Sequence, residues 1–243
     1  TVDRAYVEGV YGNTKVELGK FPVYTEQGMI LDDNVAGGQI TFGSNKFATT
    51  LTAGRYNLNN NSAYNYKALA DAADNTDTAD YQSIGMTYKA NEKFSMGAAY
   101  HHLGNGAFQN ISAAQLGTNS AYNADSMNIW EVGGTYNFNK NVRLNGAYAQ
   151  NTEAGDVDAR FKRSYNIELA YKVAQPENKG SLGVYTAERY LGQAGTIHPT
   201  FDGVSAWQHG WEFGTNYTFA KNIVGTAKTF PSKDLLATGD INA

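Results

Sequence analysis

The chain has no cysteine, only four prolines and four histidines, and no unbroken apolar run long enough to cross a bilayer as a helix. Without cysteine there is neither a disulfide framework nor a Cys-ligated zinc site. Such a chain can cross an oxidising compartment without needing bridges, a property that many cytosolic proteins share. A basic excess is also missing: 19 Lys and Arg stand against 23 Asp and Glu, for a net charge of −4. No basic excess is available to neutralise a phosphate backbone, so no nucleic acid partner is expected. No secretion leader precedes Thr1, which predicts a mature or trimmed piece whose location must be read from pattern.

What is abundant is tyrosine, at 17 residues, and glycine, at 26. They fall into an alternating pattern. Ile84, Met86 and Tyr88 lie on one parity, with Ser83, Gly85, Thr87 and Lys89 on the other. Phe94, Met96, Ala98 and Tyr100 oppose Ser95, Gly97, Ala99 and His101, and Trp130, Val132, Tyr136 and Phe138 oppose Glu131, Gly133, Thr135 and Asn137. The same holds for Tyr165–Lys172 and Trp211–Phe219. A period of two with one apolar and one polar face specifies β-strands. Such strands keep mean hydropathy low even in a membrane, because lipid touches only every second residue.

The connections alternate as well. Short polar turns at 12–14, 44–46, 91–93, 139–141, 174–179 and 220–222 separate long segments at 22–37, 57–79, 104–125, 152–160, 191–206 and 231–243. An outer-membrane barrel has short turns at one rim and long loops at the other, whereas a soluble sandwich has no reason to keep every second loop long. Tyr11, Phe21, Phe47, Tyr88, Phe94, Tyr136, Phe138, Tyr171, Tyr217 and Phe219 cluster near the short turns, as an interfacial aromatic girdle would. The expected fold is all-β: one domain over 1–243, a transmembrane antiparallel up-and-down β-barrel with about twelve strands present. These strands span 2–11, 15–21, 38–43, 47–56, 80–90, 93–103, 126–138, 142–151, 161–172, 180–190, 207–219 and 223–230. A short helix is expected near Tyr66–Ala73.

The stretch Arg4-Ala-Tyr-Val-Glu-Gly, a short turn, and then Val16-Glu-Leu-Gly-Lys-Phe21 resembles trimeric general porins. With the following Pro22–Asn34 segment it is most similar to the porin domain of SLH-anchored (OmpM-type) outer-membrane proteins of diderm Firmicutes. As a motif the resemblance covers residues 4–34; as architecture it covers most of the chain. It implies a bacterial outer-membrane location, a homotrimer, outer-membrane lipid and lipopolysaccharide as surroundings, and a third loop folded into the lumen. It also implies a sixteen-stranded barrel of which three strands before and one after lie outside this chain. The family's final aromatic-ended strand and its wall-binding SLH domain, which would tie the barrel to the cell wall, are likewise expected outside it. A complete twelve-stranded barrel acting as translocator or hydrolase is the rival architecture, and a tether with the barrel as mere anchor is the rival role.

For a channel the informative residues are inward charges. The 22–37 segment carries Glu26, Asp32 and Asp33 and no basic residue, which makes these the expected pore constriction. The expected pore lining is Arg4, Glu8, Glu17, Arg55, Glu131, Arg143, Glu168, Arg189 and Glu212, with Lys89 and Lys172 on the same parity. Acids on the loop facing bases on the wall would set a transverse field across the pore. Arg55 joins the set only if Gly54 permits a bulge that turns it inward. For any single charge, an ordinary solvated lumen residue is the plainer reading. No catalytic residue, metal site or cofactor is expected. His101-His102 reads as a rim pair, no outward serine and orienting asparagine can be matched to His102, and Asp71–Asp80 lacks the spacing of an EF-hand loop.

Overall fold

A computed structural model describes residues 2–58, 78–116, 118–153 and 155–235. The strands are β1 (Ala5–Tyr11), β2 (Thr14–Tyr24), β3 (Asp32–Gly43), β4 (Phe47–Asn57), β5 (Thr78–Lys89), β6 (Phe94–Gly104) and β7 (Ser126–Asn137). They continue with β8 (Val142–Asn151), β9 (Arg163–Tyr171), β10 (Leu182–Leu191), β11 (Gln208–Ala220), β12 (Ile223–Thr229) and β13 (Ser232–Asp234). Each of β1 to β12 pairs antiparallel with its sequence neighbours in one continuous sheet, the up-and-down order that alternation and loop lengths predicted. Among the described residues β1 and β12 are not paired to each other. The one addition is β13, which pairs with Gln208–Gly210 of β11 on the edge that β12 occupies further along. Pro231 falls between them; lacking an N–H, it breaks the ladder and splits one strand into two. The expected helix near Tyr66–Ala73 lies outside the described residues.

The pairing carries the two faces round the sheet without slippage. One face shows Leu51, Ile84, Met86, Met96, Trp130, Val132, Ile167, Leu169, Val184, Trp211 and Phe213, all exposed. The other carries Glu17, Gln39, Thr52, Ser83 and His101, paired across strands in successive register. This second face is the inner one, since the β2–β3 connection packs against it at Glu131 and Thr135. A hairpin that starts at β2 and β3 yet touches β6, β7 and β8 requires the sheet to curl around it. Gly37 and Gly54 face each other on β3 and β4, and a Cβ at residue 37 would stand 2.5 Å from the Gly54 Cα. Only glycine allows the two backbones this close.

Nine of the ten girdle aromatics are exposed as expected, from Tyr11 to Phe219. Phe21 is the exception. It shares the parity of Glu17 and Gly19, is wholly buried, and meets Tyr6 edge-on with centroids 6.5 Å apart. Its place near a strand end suggested a rim; its parity decides for the interior.

β2 and β3 also run further than alternation indicates. The expected 22–37 loop is mostly strand, with Pro22–Tyr24 paired to Asp32–Asn34, so the true tip is only residues 25–31. Around it the long connections fold over the inner side and bury one apolar body: Met29, Ile30 and Leu31 of the tip, Tyr81, Leu103 and Ile129 of the wall, and Phe108, Tyr122, Phe161 and Ile197 of the loops. Large side chains of this kind each contribute roughly 1.5–3 kcal/mol when removed from water.

Candidate functional site, an inward hairpin on a polar inner wall

The tip is built by Thr25. Its hydroxyl accepts the Ile30 and Leu31 N–H groups at 3.0 Å each, and the Gly28 N–H donates to its carbonyl at 2.8 Å. Gln27 and Gly28 both take left-handed backbone angles, φ 56° and 61°. Glycine is demanded at 28, where a Cβ would come within 2.8 Å of the Thr200 methyl. This sharp turn aims the next groups at the wall. The Glu26 N–H donates to Glu131 Oε1 at 3.1 Å, and Gln27 Nε2 donates to Thr135 Oγ1 at 3.4 Å and to Glu26 Oε1 at 3.3 Å.

Behind Glu131 lies a buried relay. His101 Nε2 is 2.9 Å from Glu131 Oε1, and its Nδ1 is 2.9 Å from the Tyr81 hydroxyl. With Tyr81 donating to Nδ1, the proton given to Glu131 sits on Nε2. Burial pushes the Glu26 carboxyl above the usual carboxylate range, as does the neighbouring Glu131, while the Gln27 hydrogen bond pulls it back in part.

The tip's other side is sealed by the connection between β10 and β11. Ile30 O accepts the Ile197 and His198 N–H groups at 2.9 and 2.7 Å, the Asp32 N–H donates to His198 O at 2.6 Å, and Thr200 N–H to Gly28 O at 2.8 Å. The Thr196 hydroxyl donates to Met29 O at 2.6 Å. Asp33 and the His198 ring stand 3.1 Å apart, with Tyr56 Oη at 3.1 Å from the same Nδ1.

Beyond Thr135 a polar belt continues along the inner wall. Thr135 Oγ1 donates to Asn145 Oδ1 at 2.9 Å, and Asn145 Nδ2 donates to Glu168 Oε1 at 3.1 Å. The Arg189 guanidinium then donates to Glu168 at 3.2 Å, Glu212 at 3.1 Å and Asn166 at 2.7 Å, and Tyr185 gives Glu212 a further bond at 2.7 Å. Arg189 lies over the Phe201 ring at 4.0 Å. A second ladder runs Lys15–Glu17–Gln39–Thr52 on the other flank. Two cavities of 400 and 430 Å³ flank the tip. The first is bounded by Arg143, Glu168, Arg189 and Lys228 with Tyr24 and Gln27; the second by Thr41, Thr50, Thr52, Ser83 and His101 with Glu26 and Glu131.

Sorted residue by residue, the expected site is partly rearranged. Glu8, Glu17, Glu131, Arg143, Glu168, Arg189 and Glu212 all fall on the inner parity. Of these, Glu17, Glu131, Arg189 and Glu212 are buried and already partnered, whereas Glu8, 3.4 Å from Lys15 Nζ, and Arg143 are exposed. Arg4 is half exposed and donates to Asn34 Oδ1 at 2.9 Å, beside the base of the hairpin. Arg55 is on the outer parity: the register runs unbroken through Gly54, so no bulge turns it, and it sits 3.8 Å from Asp80. Asp33 is engaged by His198, Asp32 is exposed, and Glu26 meets an acid rather than a base. His101 is not a rim residue but a buried wall group, while His102, on the outer parity, bonds Asn128. The Tyr81–His101–Glu131 relay was readable in principle, because all three share the inner parity. The pairing of the tip with Thr196–Thr200 left no local mark in either segment.

No family model and no curated protein sequence matches this chain. Solved structures do. A Rhodopseudomonas blastica porin variant superposes with a TM-score of 0.52 at 12% identity, over 94% of this chain and 71% of that one. Another variant of the same porin gives 0.51 at 12% identity, over 91% and 69%. OpdQ of Pseudomonas aeruginosa gives 0.54 at 12% identity, over 96% of this chain and 66% of that one. At this identity the likeness establishes the fold, a porin-type antiparallel barrel wall.

Proposed function

We propose that this chain forms the wall of a bacterial outer-membrane porin, a water-filled channel for passive diffusion of small polar solutes, assembled as a homotrimer. The observation that carries the reading is the pairing of an outward apolar band with an inner polar belt onto which the β2–β3 tip folds. A wall apolar outside and hydrogen-bonded inside suits lipid on one face and water on the other. In this reading the tip is the constriction and Arg143, Glu168, Glu8 and Arg4 are the charges nearest the solute path, with selectivity mild because most inner charges are internally paired. The resemblance at 4–34 adds a wall-binding SLH domain as the expected companion in the full-length protein.

Planar-bilayer recording of the full-length protein tests this. Stable ohmic steps are expected, and a variant with residues 26–30 replaced by a two-glycine link should show larger steps. A purified, inserted protein that never conducts overturns the channel; equal steps for the two forms overturn the constriction.

A further inference from the structure

The inner wall has a slot that fits one side chain of the tip. Gly97 of β6 and Gly133 of β7 face each other in the register, and the Glu26 side chain lies in the space their missing side chains leave. A Cβ at residue 133 would stand 2.6 Å from Glu26 Cγ, and one at residue 97 would collide with Glu26 Oε2. The slot sets the Glu26 carboxyl close enough to Glu131 for the two to repel, which adds to the effect of burial on Glu26. Glu131 is 2% exposed, and only one of its oxygens is used. Oε1 takes the Glu26 N–H and the His101 Nε2–H, while Oε2 is buried with no hydrogen-bond partner among the described residues. A buried carboxylate oxygen left in that state is costly, so a donor from outside the chain would be bound favourably there.

Glu26 and Glu131 both line the 430 Å³ cavity on the β3–β7 side of the tip, and no Lys or Arg is among the described residues that line it. His101 accepts from Tyr81 and donates to Glu131, so it brings a hydrogen bond rather than a charge. The opposite wall is a row of hydroxyls, with Thr41 facing Thr50 and Thr52 facing Ser83 in the register. The cavity on the other side of the tip carries Arg143, Lys172 and Lys228, so the two sides differ in sign. No three His, Asp or Glu among the described residues converge as a metal ion would require. A primary ammonium group, with three N–H donors and no acceptor, suits two carboxyls beside a row of hydroxyl oxygens.

Deepening the reading of the inner face as a solute path, on which it rests, we propose that this cavity is a subsite for small primary ammonium solutes. The ammonium donates to Glu131 Oε2 and to the Glu26 carboxylate, and a polar tail meets the hydroxyls of Thr50, Thr52 and Ser83. Gly97 and Gly133 are positioning residues that hold Glu26 at the edge of the cavity.

Saturation-transfer NMR titration of the full-length protein in detergent, with 5-amino-1-pentanol or with 1,5-pentanediol, tests the subsite. The two probes match in length and differ in the ammonium, and the amine should bind more tightly. Glu131→Gln and Glu26→Gln should each weaken the amine about tenfold, the usual weight of a hydrogen bond to a charged group, and leave the diol unchanged. Each keeps a carbonyl oxygen for the hydrogen bonds that the carboxylate accepts, so the docked tip is retained. Gly97→Ala should weaken the amine as well, by pushing Glu26 out of its slot. Equal affinity for amine and diol, or parent-like amine binding in both Gln variants, overturns the subsite; parent-like binding in Gly97→Ala overturns the positioning role. Selective amine binding by a protein that never conducts supports the subsite and overturns the channel, and conduction without selective binding does the reverse.

Discussion

Arg189 shows how much one side chain can hold together on the inner wall. It is buried, and its guanidinium joins Asn166 and Glu168 of β9 to Glu212 of β11. Arg189→Ala would leave the buried Glu212 and the half-buried Glu168 without their shared cation, and urea unfolding from lipid vesicles should show a loss of about 3–5 kcal/mol. Replacing Arg189, Glu168 and Glu212 together by Met, Leu and Leu should recover most of it; a single variant as stable as the parent would mean the belt is not buried as described. Glu26 sets the pH behaviour. Its carboxyl is raised by burial and by Glu131, so the docked tip binds a proton more tightly than the free one does. Docking is therefore complete below the ordinary carboxylate range and weakens as pH climbs through the raised value. Hydrogen exchange at the Gly28 and Met29 amides, corrected for intrinsic rates, should report that loss, and Glu26→Gln should flatten it. Parallel pH curves for the two proteins would exclude Glu26 as the group responsible.

At the level of elements, the strands were largely legible because period-two alternation is a local property that the register merely extends. β8 (Val142–Asn151) falls where alternation put it, and most other strand ends move by one to three residues. What escaped was pairing whose reason is non-local. Pro22–Tyr24 and Asp32–Asn34 look like loop, since proline and three polar residues spoil the pattern, yet they pair because the hairpin must reach the far wall. Phe21 and Arg55 were misplaced for related reasons: a position near a strand end and a permissive glycine outweighed simple parity. The outer parity itself is testable. Leu169→Arg on the apolar band should cost about 2–4 kcal/mol in the same vesicle assay, whereas Thr226→Arg on the inner face should stay within about 0.5 kcal/mol. Equal costs would contradict the assignment of faces.

For the whole molecule, composition and alternation determined an all-β chain with one apolar and one polar face, strands in hairpin order, and long connections at one rim. Those follow from backbone geometry and from hydrophobic burial, which act on neighbours in sequence. Tertiary structure decided which inner charges are open and which are spent. Glu131 reads as lining, but the tip covers it; Asp33 reads as constriction, but His198, 165 residues away, engages it. Whether a charge faces water or a partner depends on where a loop lands after the sheet has curled, and that is fixed by packing across the interior rather than by any pattern along the chain.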